Sequence, residues 1–486
     1  MTSQHTKSNI ISSLFWKLME RGAAQGIQLA VQIVLARVLA PEQFGTIAIV
    51  MVFVNLAQVF VQSGFSMALI QKKDADSEDF SSVFYLSLAV AVVSYVIIFI
   101  CAPYIAKFYA MPVLEPVLRV LALNLFAGAF NSVQNAFVAR NLLFKKLFMS
   151  SLGAVLISGT LGVACAYRGF GIWAIVIQQL ANQAAVTAIM WFTVRWRPEL
   201  MFSFTRVREL FAFGSRLLIS KLIETLYREL STLIIGRMYM SDTLGYYSRG
   251  QLFPQLVVSN IDGSIQSVML PALSAHQDNQ KRVKEMMRRA VVSSSFIVFP
   301  LMIGMAAVAD PLVRIVLTDK WLPAVPFMQI FCFLYILTPV HTANLQAINA
   351  MGRSDVFLRL EMINKSLGIV ILLMSLPFGV YAIAAGQVFA GMTASFINAW
   401  PNKELLGYSY KEQILDILPA LLISALMGVA VYMLGFLDLA VWQRFSVQVI
   451  CGILIYTALA RLFRIESYIY LRDTIKQLVR GRNDQE

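Results

Sequence analysis

The chain has 486 residues, 58% of them hydrophobic and only 14% charged, with a mean hydropathy of +0.69. Soluble globular chains carry roughly 25% charged residues, so this one lacks the charge to cover a surface for water and calls for lipid as its solvent. Its formal net charge of +13 is no nucleic-acid signature, because the Lys and Arg residues sit between apolar runs and at the C-terminus, where membrane topology puts them.

Residues Met1 to Ile10 are polar, with no short apolar core followed by a small-residue cleavage site, so no cleaved signal peptide is expected. Apolar runs of about 20 residues, each able to cross a hydrocarbon core roughly 30 Å thick, then recur along the chain. About fourteen helices are predicted. The first six are 10–38, 45–70, 81–106, 114–139, 147–167 and 170–193. The next six are 209–238, 245–273, 289–309, 324–350, 358–376 and 379–400, and the last two 414–435 and 441–462. The expected fold is an all-α polytopic membrane protein: an N-lobe over 10–195, a C-lobe over 209–400, two extra helices over 414–462 and a basic cytoplasmic tail over 463–486. The four cysteines, Cys101, Cys165, Cys332 and Cys451, each stand alone in an apolar run and read as small buried residues.

Loop charge sets the orientation. Loops after even-numbered spans carry Lys72 and Lys73, Lys145 and Lys146, Arg195 to Arg208, then Lys281 to Arg289, and the tail adds six more cations from Arg461 to Arg482. Loops after odd-numbered spans carry far less, so both termini are expected in the cytoplasm.

Two segments repeat earlier ones. Arg37-Val38-Leu39-Ala40-Pro41-Glu42-Gln43-Phe44-Gly45 is matched 200 positions later by Arg237 to Gly245. Phe170-Gly171-Ile172-Trp173-Ala174-Ile175 is matched 208 positions later by Phe378-Gly379-Val380-Tyr381-Ala382-Ile383. Six spans per half give both halves the same orientation, and so a pseudo-two-fold axis along the membrane normal, with the substrate site expected at the interface of the halves near the midplane.

A charge at the bilayer centre costs about 2.5–3.5 kcal/mol on insertion scales, so polar residues within spans need a reason. The first span offers Lys17, Arg21, Gln25, Gln28 and Gln32, whose gaps of four, four, three and four put them on one helical face, with Glu20 beside them. The matching helix of the second half carries Arg216, Lys221, Glu224, Arg228 and Glu229; at the offset of 200, Arg21 falls on Lys221 and Gln28 on Arg228. Lys17, Arg21, Gln25, Gln28, Gln32, Lys221 and Arg228 are the candidate substrate-binding residues, the cations suiting a diphosphate and the amides sugar hydroxyls. Polar residues on other spans (Asn55, Gln58 and Gln62; Asn131 and Gln134; Asp262 and Gln266; His341, Asn344 and Gln346) can join them or serve as interhelical glue. Glu20, Glu224 and Asp262 are candidates for H+ or Na+ coupling or for salt bridges, and Glu224 stands four before Arg228, the favoured order for an ion pair. No metal site, organic cofactor or catalytic residue is expected: there is no phosphate-binding Gly-Lys loop and no His-Glu-x-x-His helix, and there are three histidines in all.

Leu35-Ala36-Arg37-Val38-Leu39-Ala40-Pro41-Glu42-Gln43-Phe44-Gly45 and Leu69-Ile70-Gln71-Lys72-Lys73 resemble the opening of bacterial polysaccharide exporters of the multidrug/oligosaccharidyl-lipid/polysaccharide (MOP) superfamily, nearest to the O-antigen and colanic-acid-type flippases. Pro271-Ala272-Leu273-Ser274, Asp319-Lys320-Trp321 and Met351-Gly352-Arg353-Ser354-Asp355 are similar to later segments of that family. The resemblance implies two six-helix lobes in a V around a central cavity. It also implies alternating-access flipping of undecaprenyl-diphosphate-linked repeat units to the periplasmic leaflet, in the inner membrane, beside a polysaccharide polymerase and export machinery. It supplies no invariant motif, so the candidate residues rest on the helical stripe. A peptidoglycan-precursor flippase, a cation-coupled multidrug exporter and a membrane glycosyltransferase remain as alternatives; the cation-rich stripe speaks against the exporter and the short outer loops against the enzyme.

Overall fold

The computed structural model describes residues 20–62, 69–70, 72, 74–469 and 472, with the side chains at 20, 21, 209–213 and 216 outside the description. Among the described residues every regular element is helical. Among the described residues eleven segments are long and apolar enough to cross a membrane. Of the three other expected spans, the first lies partly outside the described residues, which contain its apolar helix Gly22–Val38. The spans expected at 209–238 and 358–376 form full-length helices, but charges run through them: Lys221, Glu224, Arg228 and Glu229 in one, Arg359, Glu361 and Lys365 in the other.

Contacts divide the chain into two units, residues 1–245 and 246–486. The first holds a π-helical turn, Glu20–Ala24, running into α1 (Gln25–Val38), then α2 (Pro41–Gln62), α3 (Ser77–Tyr109), α4 (Leu114–Leu121), α5 (Asn124–Arg140), α6 (Phe144–Tyr167), α7 (Ile172–Thr193) and α8 (Phe204–Met238). It also takes the first turn of α9 (Ser241–Ser274). The second unit holds the rest of α9, then α10 (Gln280–Ala307), α11 (Ala309–Val316), α12 (Val325–Tyr335), α13 (Thr338–Ala350), α14 (Ser354–Ser375), α15 (Val380–Leu406), α16 (Tyr410–Leu434) and α17 (Val441–Leu462).

Two expected helices are each broken in two. The span at 114–139 is α4 and α5, and the C-terminal part of the span at 324–350 is α13, set off from α12 at Ile336-Leu337. Between α4 and α5 the backbone tightens into a 3-10-type turn, with Leu123 N–H bonded to Val120 O and Phe126 N–H to Leu123 O. Between α12 and α13, Pro339 in the first turn of α13 has no N–H to continue the ladder but suits a helix start.

The two sequence echoes have matching local structure. α1 ends at Val38 and α8 at Met238, each followed by an extended residue, Leu39 and Tyr239; α2 then begins at Pro41 and α9 at Ser241. Gly171 and Gly379 precede α7 and α15 with φ of 57° and 96°, a left-handed backbone that explains glycine at both. A third echo lies in the short helices: Glu115-Pro116-Val117-Leu118-Arg119-Val120 in α4 and Asp310-Pro311-Leu312-Val313-Arg314-Ile315 in α11. Each closes its own i,i+4 ion pair, Arg119–Glu115 at 2.7 Å and Arg314–Asp310 at 3.1 Å. In the second unit Arg444 of α17 also reaches Asp310, at 3.0 Å, and so ties the last helix to this element.

Within the first unit the starts of α2 and α9 cross at backbone contact. A Cβ at Gly45 would stand 1.8 Å from the carbonyl oxygen of Ser241, and one at Gly245 would stand 2.1 Å from that of Pro41. The contact is reciprocal, since Gly45 and Gly245, like Pro41 and Ser241, correspond under the offset of 200. Glycine is required at both positions because no side chain fits.

On its polar side the first unit is fastened by charge. Asp76 caps α3 in a reciprocal box with Asp79, the Asp76 carboxylate accepting from Asp79 N–H at 2.9 Å. Buried Asp79 takes Lys72 at 2.7 Å and Arg206 at 3.6 Å. Arg140 donates to the carbonyls of Leu69 and Lys72, at 3.2 and 2.9 Å. Leu69 and Lys72, from the segment that carried part of the family resemblance, are therefore tied to α5 and α3 by these bonds. Beneath it lies a core of Leu69, Phe80, Val83, Phe84, Val133 and Trp196.

Candidate functional site

Four helices of the first unit turn carboxamides toward one another. The cavity they enclose has a volume of about 420 Å³ and is lined by Gln28 and Gln32 of α1, Met51, Val54, Asn55, Gln58 and Gln62 of α2, Asn124 of α5, and Gln178, Gln179, Asn182 and Gln183 of α7. Only Met51 and Val54 in that lining lack an amide, and none of it is charged. Two glycines make room for the amides: a Cβ at Gly128 would stand 1.7 Å from Gln58 Nε2, and one at Gly162 would stand 2.5 Å from Gln178 Cβ. Asn182 Nδ2 donates to Ser158 Oγ at 3.1 Å and Asn55 Nδ2 to Glu229 Oε1 at 3.5 Å. Four carbonyl oxygens, those of Gln28, Gln58, Asn124 and Gln178, are buried without a protein partner.

The structure brings five of the residues singled out from sequence together here: Gln28, Gln32, Asn55, Gln58 and Gln62. Gln25 is exposed, one turn before them. Lys17 and the side chains of Glu20, Arg21 and Arg216 lie outside the described residues. Asn131 and Gln134 are buried on α5 but do not line the cavity. Sequence reasoning missed Asn124 and all four residues of α7. The signal was present, since Gln178, Gln179, Asn182 and Gln183 at helical spacing are an unusual load for a span read as apolar.

α8 supplies the charge. Lys221 pairs with Glu224 at 3.0 Å and Arg228 with Glu229 at 3.5 Å, so Glu224 bonds to the lysine three residues before it and Arg228 to its neighbour. Lys221 and Arg228 remain 48% and 53% exposed. Lys221, Glu224 and Arg228 share one helical face; Ile219, Ile223 and Leu226, also exposed, lie on roughly the opposite side at 3.6 residues per turn. A membrane helix with one apolar and one charged face turns the charged one to protein or to water.

The second unit carries the remaining candidates. Asp262 of α9 accepts from Gln266 Nε2 at 2.7 Å and from the Thr342 hydroxyl. His341 holds Asn398 Nδ2 at 2.9 Å through Nδ1 and the Gly391 carbonyl at 3.0 Å through Nε2, the pattern of a neutral ring with its proton on Nε2. Asn344 belongs to a buried knot: its Nδ2 donates to Gln413 Oε1 at 2.7 Å, while its Oδ1 accepts from Gln413 Nε2 at 3.0 Å and from Asn402 Nδ2 at 2.7 Å.

Residues 34–326, more than half the chain, match the family described as polysaccharide biosynthesis protein. The chain belongs to that family. It is 25% identical over 418 residues to the teichuronic acid biosynthesis protein TuaB of Bacillus subtilis, covering 82% of this chain and 84% of that one. It is 24% identical over 437 residues to the lipopolysaccharide biosynthesis protein WzxC of Escherichia coli, covering 87% and 88%. Among solved structures the fold is similar to the lipid II flippase MurJ in an inward closed conformation, with a TM-score of 0.77 at 15% identity over 96% of this chain and all of that one. It is also similar to an inward-facing multidrug resistance transporter of the MOP superfamily, with a TM-score of 0.61 at 15% identity over 78% and 94%. The family member described here thus has a MOP-type all-α polytopic fold and is a multi-pass membrane protein.

Proposed function

We propose that this chain flips undecaprenyl-diphosphate-linked oligosaccharide repeat units from the cytoplasmic to the periplasmic leaflet by alternating access, for a surface polysaccharide such as O-antigen, capsule or exopolysaccharide. It is a transporter, not an enzyme. The observation that carries the reading is a polysaccharide-biosynthesis chain with a charged, exposed face on α8, the helix over the seventh expected span. Exposed ion pairs are worth about 0–1 kcal/mol, so Lys221 and Arg228 can leave Glu224 and Glu229 for a diphosphate at little cost. Lys17, Arg21, Lys221 and Arg228 are assigned to the diphosphate, and Gln25, Gln28 and Gln32 to the glycan.

Coupling to H+ or Na+ is assigned to Asp262 ahead of Glu224, which already pairs with Lys221. The excess of cations in even-numbered loops supports an inner-membrane protein with both termini cytoplasmic, beside a polymerase that uses the flipped unit. A lipid II flippase is the second reading, favoured by the fold likeness to MurJ; the names of the sequence relatives favour the first.

The experiment is to delete the gene and measure lipid-linked glycan, with leaflet sidedness tested by an impermeant probe. Repeat units trapped on the cytoplasmic leaflet are the expected result. Repeat units that still cross while trapped lipid II appears would replace the first reading by the second.

A further inference from the structure

Among the described residues, buried side-chain atoms without a protein partner occur in both units, those of Gln134 and Gln346 among them, but four carbonyl oxygens of this kind gather on residues lining the cavity of the first unit. Asn124 is 6% exposed and Gln178 is 1% exposed; both line the cavity, and the side-chain carbonyl of each is buried without a protein partner, as are those of Gln28 and Gln58. Buried polar groups are nearly always bonded, so four such oxygens around one space point to a partner from outside the chain.

We infer that this cavity binds a neutral sugar ring of the transported glycan, at a subsite chemically distinct from the cations that suit the diphosphate. The inference rests on the flippase reading and deepens it. A carboxamide offers two donors and an acceptor, and turning it about its last torsion exchanges them, so a wall of amides meets a hydroxyl from either end. A diphosphate finds no cation in this lining, and a bare cation finds no carboxylate. The volume of about 420 Å³ falls within the range of about 300–1,000 Å³ usual for small-molecule sites. The space is also built: Gly128 and Gly162 exist where larger residues would displace Gln58 and Gln178. Amides acting as glue look different: Asn344 and Gln413 bond each other in both directions and Asn402 Nδ2 closes on Asn344, which leaves one carbonyl, that of Asn402, without a partner. A site that bonds hydroxyls strongly rejects ligands lacking them, so this cavity would set which repeat unit is carried.

The test uses full-length purified protein in lipid nanodiscs, and as probe the phosphate-free repeat unit cut from the surface polysaccharide of the same strain. Wild-type protein should bind it, and the double variant Asn124→Leu, Gln178→Leu should bind at least tenfold more weakly. Met51→Trp, which fills the space and removes no amide, should weaken binding to a similar degree and guards against a folding artefact in the double variant. Wild-type affinity in either variant, once it runs as a folded monodisperse species, overturns the inference. So does a protein whose melting temperature rises with sodium chloride but not with the repeat unit. Failure of the transport reading shows separately, as absence of trapped lipid-linked glycan in the deletion strain.

Discussion

Asn344, Gln413 and Asn402 in the second unit, and Gln28, Gln58, Asn124 and Gln178 in the first, are side chains of the same chemistry inside the same kind of helical protein. The first group bonds internally and leaves one carbonyl oxygen, that of Asn402, unpaired; the second keeps four unpaired on residues around a space of about 420 Å³. Amide content alone therefore says little about role. What separates the two regions is whether several unpaired amides gather around one shared space, and that depends on rotamers and neighbouring glycines rather than on residue type.

The comparison can be broken by stability measurements on purified protein. The largest loss is expected for Asn344→Leu, which strips Gln413 and Asn402 of their shared partner. An unsatisfied buried group costs about 1–3 kcal/mol, read as a lower melting temperature and less folded protein in the membrane. Asp76→Ala, a control inside the first unit, removes a helix cap worth about 0.5–2 kcal/mol. The backbone N–H of Asp79, aided by Arg206 and Lys72, holds the Asp76 carboxyl below its ordinary value of 3.8. Its contribution is thus complete above about pH 4 and lost as pH falls through the lower folded value. Melting curves of Asp76→Ala and wild type should converge in that acid window.

A smaller change, at most about 1 kcal/mol, is expected when Lys221 and Arg228 are both made alanine. Export of the lipid-linked glycan should nonetheless fail, read as its accumulation in cells. Gln178→Leu should alter stability least of all, because it removes a carbonyl that no protein group satisfies, yet it should impair export. A loss of stability for Gln178→Leu equal to that of Asn344→Leu would erase the distinction between the two regions.

Much of this was legible in the sequence. Apolar runs announce spans because lipid demands them, and two echoes 200 and 208 positions apart carry matching local structure. The third echo, at Glu115 and Asp310, escaped because a Pro flanked by acidic and aliphatic residues reads as an ordinary helix start. The break between α4 and α5 was invisible, since Ala122 and Leu123 are good helix formers and only the packed backbone tightens there. Gln28 and Gln32 were singled out through helical spacing, and Asn55, Gln58 and Gln62 as polar residues within another span; the structure brings the five to one cavity. The contribution of α7 was missed because its amides lie within an apolar run. The partner of Glu224 was misjudged for a different reason: spacing offers Arg228 four residues on and Lys221 three back, and side-chain geometry chose Lys221.

The crossing of α2 and α9 bears on how such a chain could arise. Gly45 lies against the carbonyl of Ser241, and Gly245 against that of Pro41, which amounts to one contact made twice. A self-complementary interface between two identical subunits has this form, with residue i touching j and j touching i. A chain half as long, paired with a copy of itself, would make the same contact by symmetry alone. Joined in one polypeptide, the two glycines have become separate positions free to mutate independently, but each still presses on backbone supplied by the other repeat. The two repeats can diverge in charge elsewhere while these two positions stay confined to glycine.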